Sequence, residues 1–449
     1  MAIEIRLRPS WNEREVLQQQ RKLRELMLGW LLAPHRSQEV VLNGQSLNVG
    51  LLPADIQACA ENVVLECGGV GDGQRLRFVE EDGAARVAEA AAVGAALVRV
   101  ADCALHVYKS TQLGGGVEQL VSAEDGEEES NAAAGTVGSL VWPLPHADFD
   151  YLWESLVFDD DTKQSLLMCA MAMLKVADRC GESAHHVLSV NRLFLLHGTP
   201  GTGKTTLCKA LAQKLAIRLR ARFRRAVFIE VNSHSLFSKF FSESGKLVGR
   251  LFEQIRAQLA DKDCLVCVLV DEVESLTMAR QQAVRGNEPS DAVRVVNAIL
   301  TQIDQIRRYT NVLVLTTSNL SDSVDPAFLD RADIICELPP PPAVAIYSIY
   351  LSAIKLMREG LLLSGCEGLV DDPRQLSAVG DESEATRTSR RLYQLARDSE
   401  GLSGRVLRKL PTVAYAAYTC QDFVPLLDFL ETLASKVALR RGAMISAGD

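Results

Sequence analysis

Apolar and polar positions follow two periods along this chain, and together they predict an α/β protein. In the middle of the chain, short continuous apolar runs of strand length are separated by segments of helical period. That alternation is typical of a parallel sheet with crossover helices. The runs predicted to be strands are Arg192–His197, Ala226–Val231, Cys264–Val270, Asn311–Thr317 and Ile334–Leu338. We therefore expect a five-stranded parallel sheet with flanking helices.

The residues before this sheet have a different character. Ile3–Arg8 alternates like a strand and Trp11–Leu32 has the period of an amphipathic helix, so residues 1–112 are predicted to form a small α+β domain. From Gly114 the composition changes to Gly, Glu, Ser and Ala, with the acidic run Glu124–Glu129. Because such a segment buries too little apolar surface to offset its ordering entropy, residues 113–146 are predicted to be a flexible acidic linker. The acidic run favours a solvated tether over a binding tail.

A helical domain is predicted after the sheet. Four consecutive prolines at 339–342 end the sheet domain, which we expect to span residues 147–342. The helices predicted beyond it are Ala343–Glu359, Ser389–Ser399, Ser403–Thr419 and Phe423–Arg440. Residues 343–449 are therefore expected to be a small helical domain.

Composition limits the classes of protein that fit this pattern. The 449 residues are enough for two to four domains, and no apolar run approaches the length of a membrane span. We expect no signal peptide, and the eleven scattered cysteines indicate a reducing compartment. Cys264 and Cys267 have the spacing of metal ligands but lie in an apolar run, so we interpret them as core. The net charge of −9 argues against broad nucleic-acid binding.

A glycine-rich loop between the first strand and a helix carries the clearest chemistry. The loop Gly198–Thr205 reads Gly-Thr-Pro-Gly-Thr-Gly-Lys-Thr, the Walker A pattern, and leucines at every fourth position follow it. Glycines let backbone N–H groups approach phosphate oxygens, Lys204 reaches the β- and γ-phosphates, and Thr205 offers a hydroxyl to Mg²⁺. The residues predicted to bind the nucleotide are Gly198, Thr199, Pro200, Gly201, Thr202, Gly203, Lys204, Thr205 and Thr206.

Polar residues follow two other predicted strands at the edge where parallel sheets keep their ligands. Asp271 and Glu272 end the run Cys264–Val270, as in a Walker B motif. Asp271 is predicted to hold Mg²⁺, directly or through water, and Glu272 to polarise the attacking water. Asn319 follows the next strand, and its expected hydrogen bond goes to either the γ-phosphate or the attacking water.

The order of these motifs resembles the AAA+ ATPase family over roughly residues 147–419. Besides the two Walker segments and Asn319, the order includes Asp330-Arg331-Ala-Asp333 and Gly401-Leu-Ser-Gly404-Arg405. Within AAA+, four longer stretches resemble the pachytene checkpoint protein 2 (thyroid receptor-interacting protein 13) family. They begin at Asn232, Asp271, Glu288 and Gly401.

The resemblance implies roles for further residues. Arg405 matches the sensor-2 arginine, and Arg331 matches the finger that reaches a neighbouring subunit's nucleotide; the alternative for Arg331 is a surface ion pair with Asp330 or Asp333. The first pore loop, which grips substrate polypeptide, is matched by Lys239, Phe240 and Phe241. Residues 281–290 match the second pore loop. The catalytic set implied is Glu272, Asn319, Arg331 and Arg405, with Thr205 and Asp271 as metal ligands.

The same resemblance implies a function. It is that of a homohexamer that uses ATP and Mg²⁺ to unfold part of HORMA-domain proteins, converting closed conformers to open ones with the help of a HORMA-type adaptor. The expected setting is spindle-checkpoint silencing and the meiotic chromosome axis, in nucleus and cytoplasm, including meiotic chromosomes and kinetochores. Neither membrane nor direct nucleic-acid binding is expected. Two alternatives stay open: a nucleic-acid ATPase of the initiator or clamp-loader kind, and a scaffold that uses ATP only to assemble.

Overall fold

The computed structural model describes most of the chain and divides it into two compact units. The described residues are 2–8, 10, 20–32, 41–42, 46–47, 49–67, 75–79, 96–99, 102–112, 139–158, 160–181, 190–232, 244–274, 291–319, 326–365, 368–377, 383–418 and 423–445. The first unit contains Met1–Trp153, Asp161–His197 and Thr205–Glu337. The second contains Glu154–Asp160, Gly198–Lys204 and Leu338–Asp449. The glycine loop therefore belongs to the same unit as the C-terminal helices. The strands predicted between residues 192 and 338 belong to the same unit as the N-terminal residues.

Among its described N-terminal residues, the first unit contains two small sheets and two helices. Strand β1 (Ala2–Leu7) lies antiparallel to β3 (Ala60–Glu66) and parallel to β6 (Ala104–Tyr108). The other elements are β2 (Val41–Leu42), β4 (Arg75–Val79), β5 (Ala96–Arg99), α1 (Gln20–Leu32) and α2 (Ala54–Cys59). One face of α1 packs its apolar side chains against those of β1, as the two periods in the sequence require. These described residues have the expected α+β arrangement.

The central sheet has six strands in the order β12-β8-β11-β10-β9-β7. The five predicted strands are present and mutually parallel: β8 (Leu193–His197), β9 (Arg225–Asn232), β10 (Cys264–Asp271), β11 (Val312–Ser318) and β12 (Ile334–Glu337). From Cys264 to Val270, no residue of β10 is more than 1% exposed, the burial of a strand covered on both faces. The helices that accompany these strands along the sequence are α3 (Leu152–Ser155), α4 (Thr162–Cys180), α5 (Lys204–Arg218), α6 (Ser244–Leu259), α7 (Asp291–Ile306) and α8 (Pro326–Leu329).

The sixth strand, β7 (Ser139–Leu144), corrects the predicted linker. It pairs antiparallel with β9 along its whole length, and its Leu144 is buried. The prediction of a flexible linker over 113–146 is therefore wrong for the last residues of that range. Pro143 lacks a backbone N–H, and an edge strand such as β7 tolerates that loss. Residues 113–138 lie outside the described residues.

The interpretation of Cys264 and Cys267 as core is confirmed. Both side chains are fully buried, and burial raises the pKa of the Cys267 thiol to about 12. Among the described residues, no group of three or more His, Cys, Asp or Glu side chains is arranged to hold a metal ion. Nor does any helix in the described part of the chain combine the length and apolar character needed to span a bilayer.

The second unit is mainly helical, as predicted for the C-terminal residues. Its helices are α9 (Ala343–Glu359), α10 (Glu384–Asp398), α11 (Gly404–Tyr415) and α12 (Leu426–Ile445), with the short pair β13 (Leu363–Ser364) and β14 (Val424–Pro425). Helix α10 begins five residues before the predicted Ser389. Its first turns are polar in sequence, although Thr386 and Thr388 are buried there. The predicted start was wrong because polar residues were taken to lie outside the helix.

Four charged side chains are buried where the N-terminal strands meet helix α5. Lys214 Nζ donates to Glu4 Oε2 at 2.6 Å and lies 3.4 Å from Glu66 Oε1. Arg218 donates to Glu4 Oε1 at 3.1 Å and also to Glu66. None of these side chains is more than 8% exposed, so each charge is stabilised by its partners instead of by water. The cluster fixes the N-terminal strands to the last turns of α5, roughly 14 Å along the helix from Thr205.

The first prediction concerns this cluster. In the Lys214→Met variant, the two buried carboxylates keep Arg218 but lose the Lys214 ammonium. Losing one partner of a buried ion pair costs about 3–5 kcal/mol, so the midpoint of thermal unfolding should fall by roughly 5–15 °C in calorimetry. The control is Lys355→Met, because Lys355 pairs with Asp371 on the surface and should shift the midpoint little. Equal shifts in the two variants would contradict the assigned role of the cluster.

Candidate nucleotide-binding and hydrolysis site

The glycine loop has a backbone that glycine adopts far more readily than other residues. Gly198, Gly201 and Gly203 have φ angles of +146°, +84° and +96°. Space is also short: a Cβ on Gly198 would lie 2.3 Å from the carbonyl oxygen of Leu338, and one on Gly203 would lie 3.0 Å from Leu156 Cδ2. The glycines of the predicted Walker A pattern are thus required by the loop's own conformation.

Polar side chains of this loop are held by its own carbonyl groups. The Lys204 ammonium donates to the carbonyl oxygens of Gly198 and Thr199 at 2.8 and 2.9 Å. The Thr202 hydroxyl donates to Thr199 at 3.1 Å. Lys204 and Thr202 are buried, whereas Thr199 and Pro200 are exposed. A cation is therefore held at the start of a helix, and the helix N-terminus itself attracts phosphate.

The glycine loop is in direct contact with the start of helix α11. Gly404 N donates to the carbonyl oxygen of Gly201 at 2.9 Å, and a Cβ on Gly404 would lie 2.8 Å from that oxygen. Ser403 caps α11 by accepting a hydrogen bond from Val406 N at 3.4 Å. Arg405 follows in the first turn, exposed and without a hydrogen bond or ion pair to any described residue. The predicted sensor-2 arginine thus lies beside the predicted phosphate loop.

At the end of β10, two acids are joined by one hydroxyl group of β11. The Thr317 hydroxyl donates to Asp271 Oδ1 and accepts a hydrogen bond from Glu272 N at 3.0 Å. Thr205, in the first turn of α5, donates to both oxygens of Asp271, at 3.0 and 3.1 Å. Thr206 is next on the helix and is half-buried. The structure therefore brings together the two predicted metal ligands, Thr205 and Asp271, beside the predicted catalytic Glu272.

Glu272 has a strained backbone. Its φ is +57°, in the left-handed region that residues other than glycine rarely adopt and that costs about 1–3 kcal/mol. Two hydrogen bonds to Thr317 hold this conformation. Glu272 N donates to the Thr317 hydroxyl, and Val273 N donates to the Thr317 carbonyl oxygen at 2.9 Å. Such strain is concentrated at functional sites, where the surrounding structure overcomes it. The left-handed conformation ends the strand at Asp271. The side chain of Glu272 therefore does not follow the two-face alternation of the β10 side chains.

Asn319 is held by a third acid of the same segment. Glu274 Oε1 accepts hydrogen bonds from Asn319 N at 3.1 Å and from Asn319 Nδ2 at 2.7 Å. Glu274 is buried, with 7% of its surface exposed. The residue expected to contact the γ-phosphate or the water is therefore fixed through both its main chain and its side chain.

Arg331 forms an ion pair, but its partner differs from the two that were predicted. Its guanidinium binds Asp304 of α7 with both arms, Nε to Oδ1 at 3.1 Å and Nη2 to Oδ2 at 3.0 Å. The predicted partners Asp330 and Asp333 are therefore wrong for this ion pair. Asp333 instead accepts hydrogen bonds from two backbone N–H groups at the start of β8. The forked guanidinium favours a carboxylate that offers both oxygens, and Asp304 does so.

Comparisons with known proteins give the family. Residues 194–340 match the model of the ATPase family associated with various cellular activities (AAA), and residues 342–441 match the TRIP13-like AAA+ ATPase lid C-terminal domain. The pachytene checkpoint protein 2 homologues of Sus scrofa and Homo sapiens are 49% and 48% identical over 335 residues, 74% of this chain and 75% of theirs. This chain belongs to the pachytene checkpoint protein 2 family. The solved structure of C. elegans PCH-2 is 31% identical, with a TM-score of 0.74 over 98% of this chain and 99% of that one.

Membership of this family establishes the chemistry of the site as ATP hydrolysis. The glycine loop and the acids that end β10 belong to the matched AAA domain, and Gly404 and Arg405 belong to the matched TRIP13-like lid. The resemblance inferred from the motifs alone is thereby confirmed. The pore-loop residues Lys239, Phe240 and Phe241 lie outside the described residues, as do residues 281–290, so these roles stay predictions.

Four residues of the site were not identified from the sequence. Thr317 and Glu274 carried a weak signal, because each is a polar residue just beside a predicted one at the end of an apolar run. Gly404 was noted within its motif, but its contact with Gly201 depends on the folded lid. Asp304 had no local signal, since its partner Arg331 is 27 residues further along the chain.

The second prediction concerns the contact between the loop and the lid. In the Gly404→Ala variant, the new Cβ would press on the Gly201 carbonyl, at a cost typical of overpacking, about 1–3 kcal/mol. ATP affinity, measured by calorimetric titration, should fall roughly five- to hundredfold. Gly442→Ala is the control, because its Cβ would meet nothing within 4 Å in the same unit. Unchanged affinity in the Gly404→Ala variant would show that the lid and the loop are not coupled through this contact.

Proposed function

We propose that this chain is a homohexameric ATP-driven remodeller of HORMA-domain proteins, which converts closed conformers to open ones. Family membership supports this substrate class, and the N-terminal domain would bind substrate together with a HORMA-type adaptor. One structural observation carries the mechanical part: the lid residue Gly404 hydrogen-bonds the phosphate loop at Gly201. Through this contact, a change of phosphate occupancy in the loop would act on the start of α11.

Thr205 of α5 and Asp271 of β10 fit a magnesium ion. Mg²⁺ prefers oxygen ligands, and it is usually bound by one or two protein groups together with substrate phosphates and water. The Thr205 hydroxyl and the Asp271 carboxylate provide two such oxygen donors within hydrogen-bond distance of each other. When bound, the ion would neutralise charge on the phosphate oxygens.

In the proposed hydrolysis, Glu272 accepts a proton from the attacking water. The water oxygen then bonds to the γ-phosphorus, and the bond to the bridging β–γ oxygen breaks, giving ADP and phosphate. Thr317 supports this step because its hydroxyl fixes the backbone N–H of Glu272 and one oxygen of Asp271. Lys204 and the N–H groups of the glycine loop would stabilise the phosphate charge.

Arg331 is proposed to act on the nucleotide of a neighbouring subunit. The resemblance gives it the role of the finger, and a cationic finger typically contributes about 10³–10⁵ in rate in other NTPases. In the single chain its guanidinium is bound by Asp304. To reach a neighbour's phosphate it would leave this carboxylate, so Asp304 is proposed to hold the finger until the neighbour carries ATP.

Arg405 and the pore loop complete the proposed cycle. Arg405 lies one residue after the lid–loop contact and is exposed, so it is suitably placed for a phosphate in the loop. Its engagement would close the lid and shift the pore loop with Phe240, which would pull on an end of the substrate. We propose that the protein acts in nucleus and cytoplasm, in checkpoint silencing and on meiotic chromosomes and kinetochores.

Two other functions predict different measurements. A nucleic-acid ATPase would be stimulated by DNA, whereas the proposed remodeller would be stimulated by a HORMA-domain protein. A scaffold that only assembles with ATP would release no phosphate. The paired acids Asp271 and Glu272, held by Thr317, favour hydrolysis over assembly alone.

The third prediction tests the role of Glu272 and identifies the substrate. Glu272→Gln keeps the size of the side chain but removes the base, so phosphate release should fall about 10²–10⁴-fold while ATP binding persists. In ATP this variant should form hexamers and retain a purified HORMA-domain protein in a pull-down.

The control for that experiment is Glu359→Gln, which makes the same chemical change on an exposed part of α9. It should hydrolyse ATP at the normal rate and release its substrate. Normal phosphate release by Glu272→Gln would remove Glu272 from catalysis. If Glu272→Gln stops hydrolysis but neither forms hexamers nor captures substrate, the chain would still be an ATPase. The proposed remodelling function would then be contradicted.

A further inference from the structure

Glu274 makes an unusual pair of contacts for a buried carboxylate. One oxygen, Oε1, accepts both the backbone N–H and the side-chain Nδ2 of Asn319, at 3.1 and 2.7 Å. The other oxygen, Oε2, is buried and has no hydrogen-bond partner among the described residues. No cation in the described part of the chain pairs with Glu274. Its contacts are therefore concentrated on one residue of the hydrolysis site.

These contacts fix which end of the Asn319 amide is available. Because Nδ2 is bound by Glu274, Oδ1 lies at the other end of the amide and is left to accept a hydrogen bond. The oxygens of a γ-phosphate only accept hydrogen bonds, whereas a water molecule can donate them. Nδ2 has a second N–H that could still serve a phosphate oxygen, whereas the acceptor Oδ1 can serve only the attacking water.

A carboxylate is needed at position 274 to enforce this orientation. An ionised Glu only accepts hydrogen bonds, so it can bind Nδ2 of Asn319 but is repelled by Oδ1. A Gln of the same size could bind either end, because it both donates and accepts. A purely structural anchor for the Asn319 backbone would require no charge at all. The buried charge thus selects one of two amide orientations.

We propose that Glu274 is a positioning residue for ATP hydrolysis, which turns Asn319 Oδ1 towards the attacking water. The proposal deepens the hydrolysis step above, since it chooses between the two roles for Asn319 that the sequence left open. It rests on the proposed catalytic site but not on the remodelling function. Glu274 acts through Asn319 and does not itself contact ATP or water.

Exchanging the acid and the amide tests this assignment. In Asn319→Asp two carboxylates face each other, and kcat should fall about 100-fold. In Glu274→Gln the Asn319 amide can flip, and kcat should fall roughly two- to tenfold with KM for ATP unchanged.

In the double variant Glu274→Gln/Asn319→Asp, the new amide at position 274 donates to the new carboxylate at position 319. An oxygen acceptor then faces the water again, and the net charge of the pair is restored. The kcat of the double variant should exceed that of Asn319→Asp at least tenfold.

The opposite results would overturn the proposal. If the double variant is as slow as Asn319→Asp while ADP affinity and thermal midpoint remain normal, then Asn319 acts as a donor to phosphate. If the double variant does not bind ADP, the single variants Glu274→Gln and Glu274→Asp decide whether Glu274 positions Asn319 or only anchors the structure. Both should lower kcat without raising KM, and a change in thermal midpoint alone would mean a structural anchor. An inactive wild-type chain would instead refute the hydrolysis site itself, and Glu359→Gln serves again as the surface control.

Discussion

The hydroxyl group of Thr317 is the contact on which the arrangement of the hydrolysis site depends. It donates to Asp271 and accepts from the backbone of Glu272, so one side chain of β11 fixes the last residue of β10 and the residue after it. The two neutral hydrogen bonds that hold this turn, from Glu272 N and Val273 N to Thr317, contribute about 0.5–1.5 kcal/mol each, comparable to the strain of the left-handed Glu272. The parallel pairing of the two strands, with Val270 opposite Thr316, places this hydroxyl between the acids.

The other contacts of the site follow from the same edge of the sheet. Thr205 at the start of α5 reaches Asp271, and Asn319 just beyond β11 reaches Glu274. Helix α5 has a second role, because its last turns carry the buried cations that hold the N-terminal strands. One helix therefore links the acids of β10 to the domain proposed to bind substrate. In the other unit, the Gly201–Gly404 contact links the phosphate loop to the lid.

Local sequence patterns predicted the helices and strands but not the contacts between them. Walker A, the five apolar strands and the lid helices could be predicted because each is encoded within a few consecutive residues. Strand β7 was missed because it follows a glycine-rich acidic stretch and contains Pro143. The pairing of Arg331 with Asp304 depends on how α7 packs, which no local period encodes. The same holds for Thr317, whose role depends on strand order and register.

The central claim is that the Thr317 hydroxyl organises the two acids for catalysis. Its most direct test is kcat and ADP affinity of Thr317→Val, which keeps the shape of the side chain and removes only the hydroxyl. We expect kcat to fall about ten- to hundredfold with ADP affinity unchanged, because outer groups that orient catalytic ligands typically contribute this much. Thr317→Ser, which retains the hydroxyl, should stay near the wild-type rate. A Thr317→Val protein that hydrolyses ATP at the wild-type rate would contradict the claim.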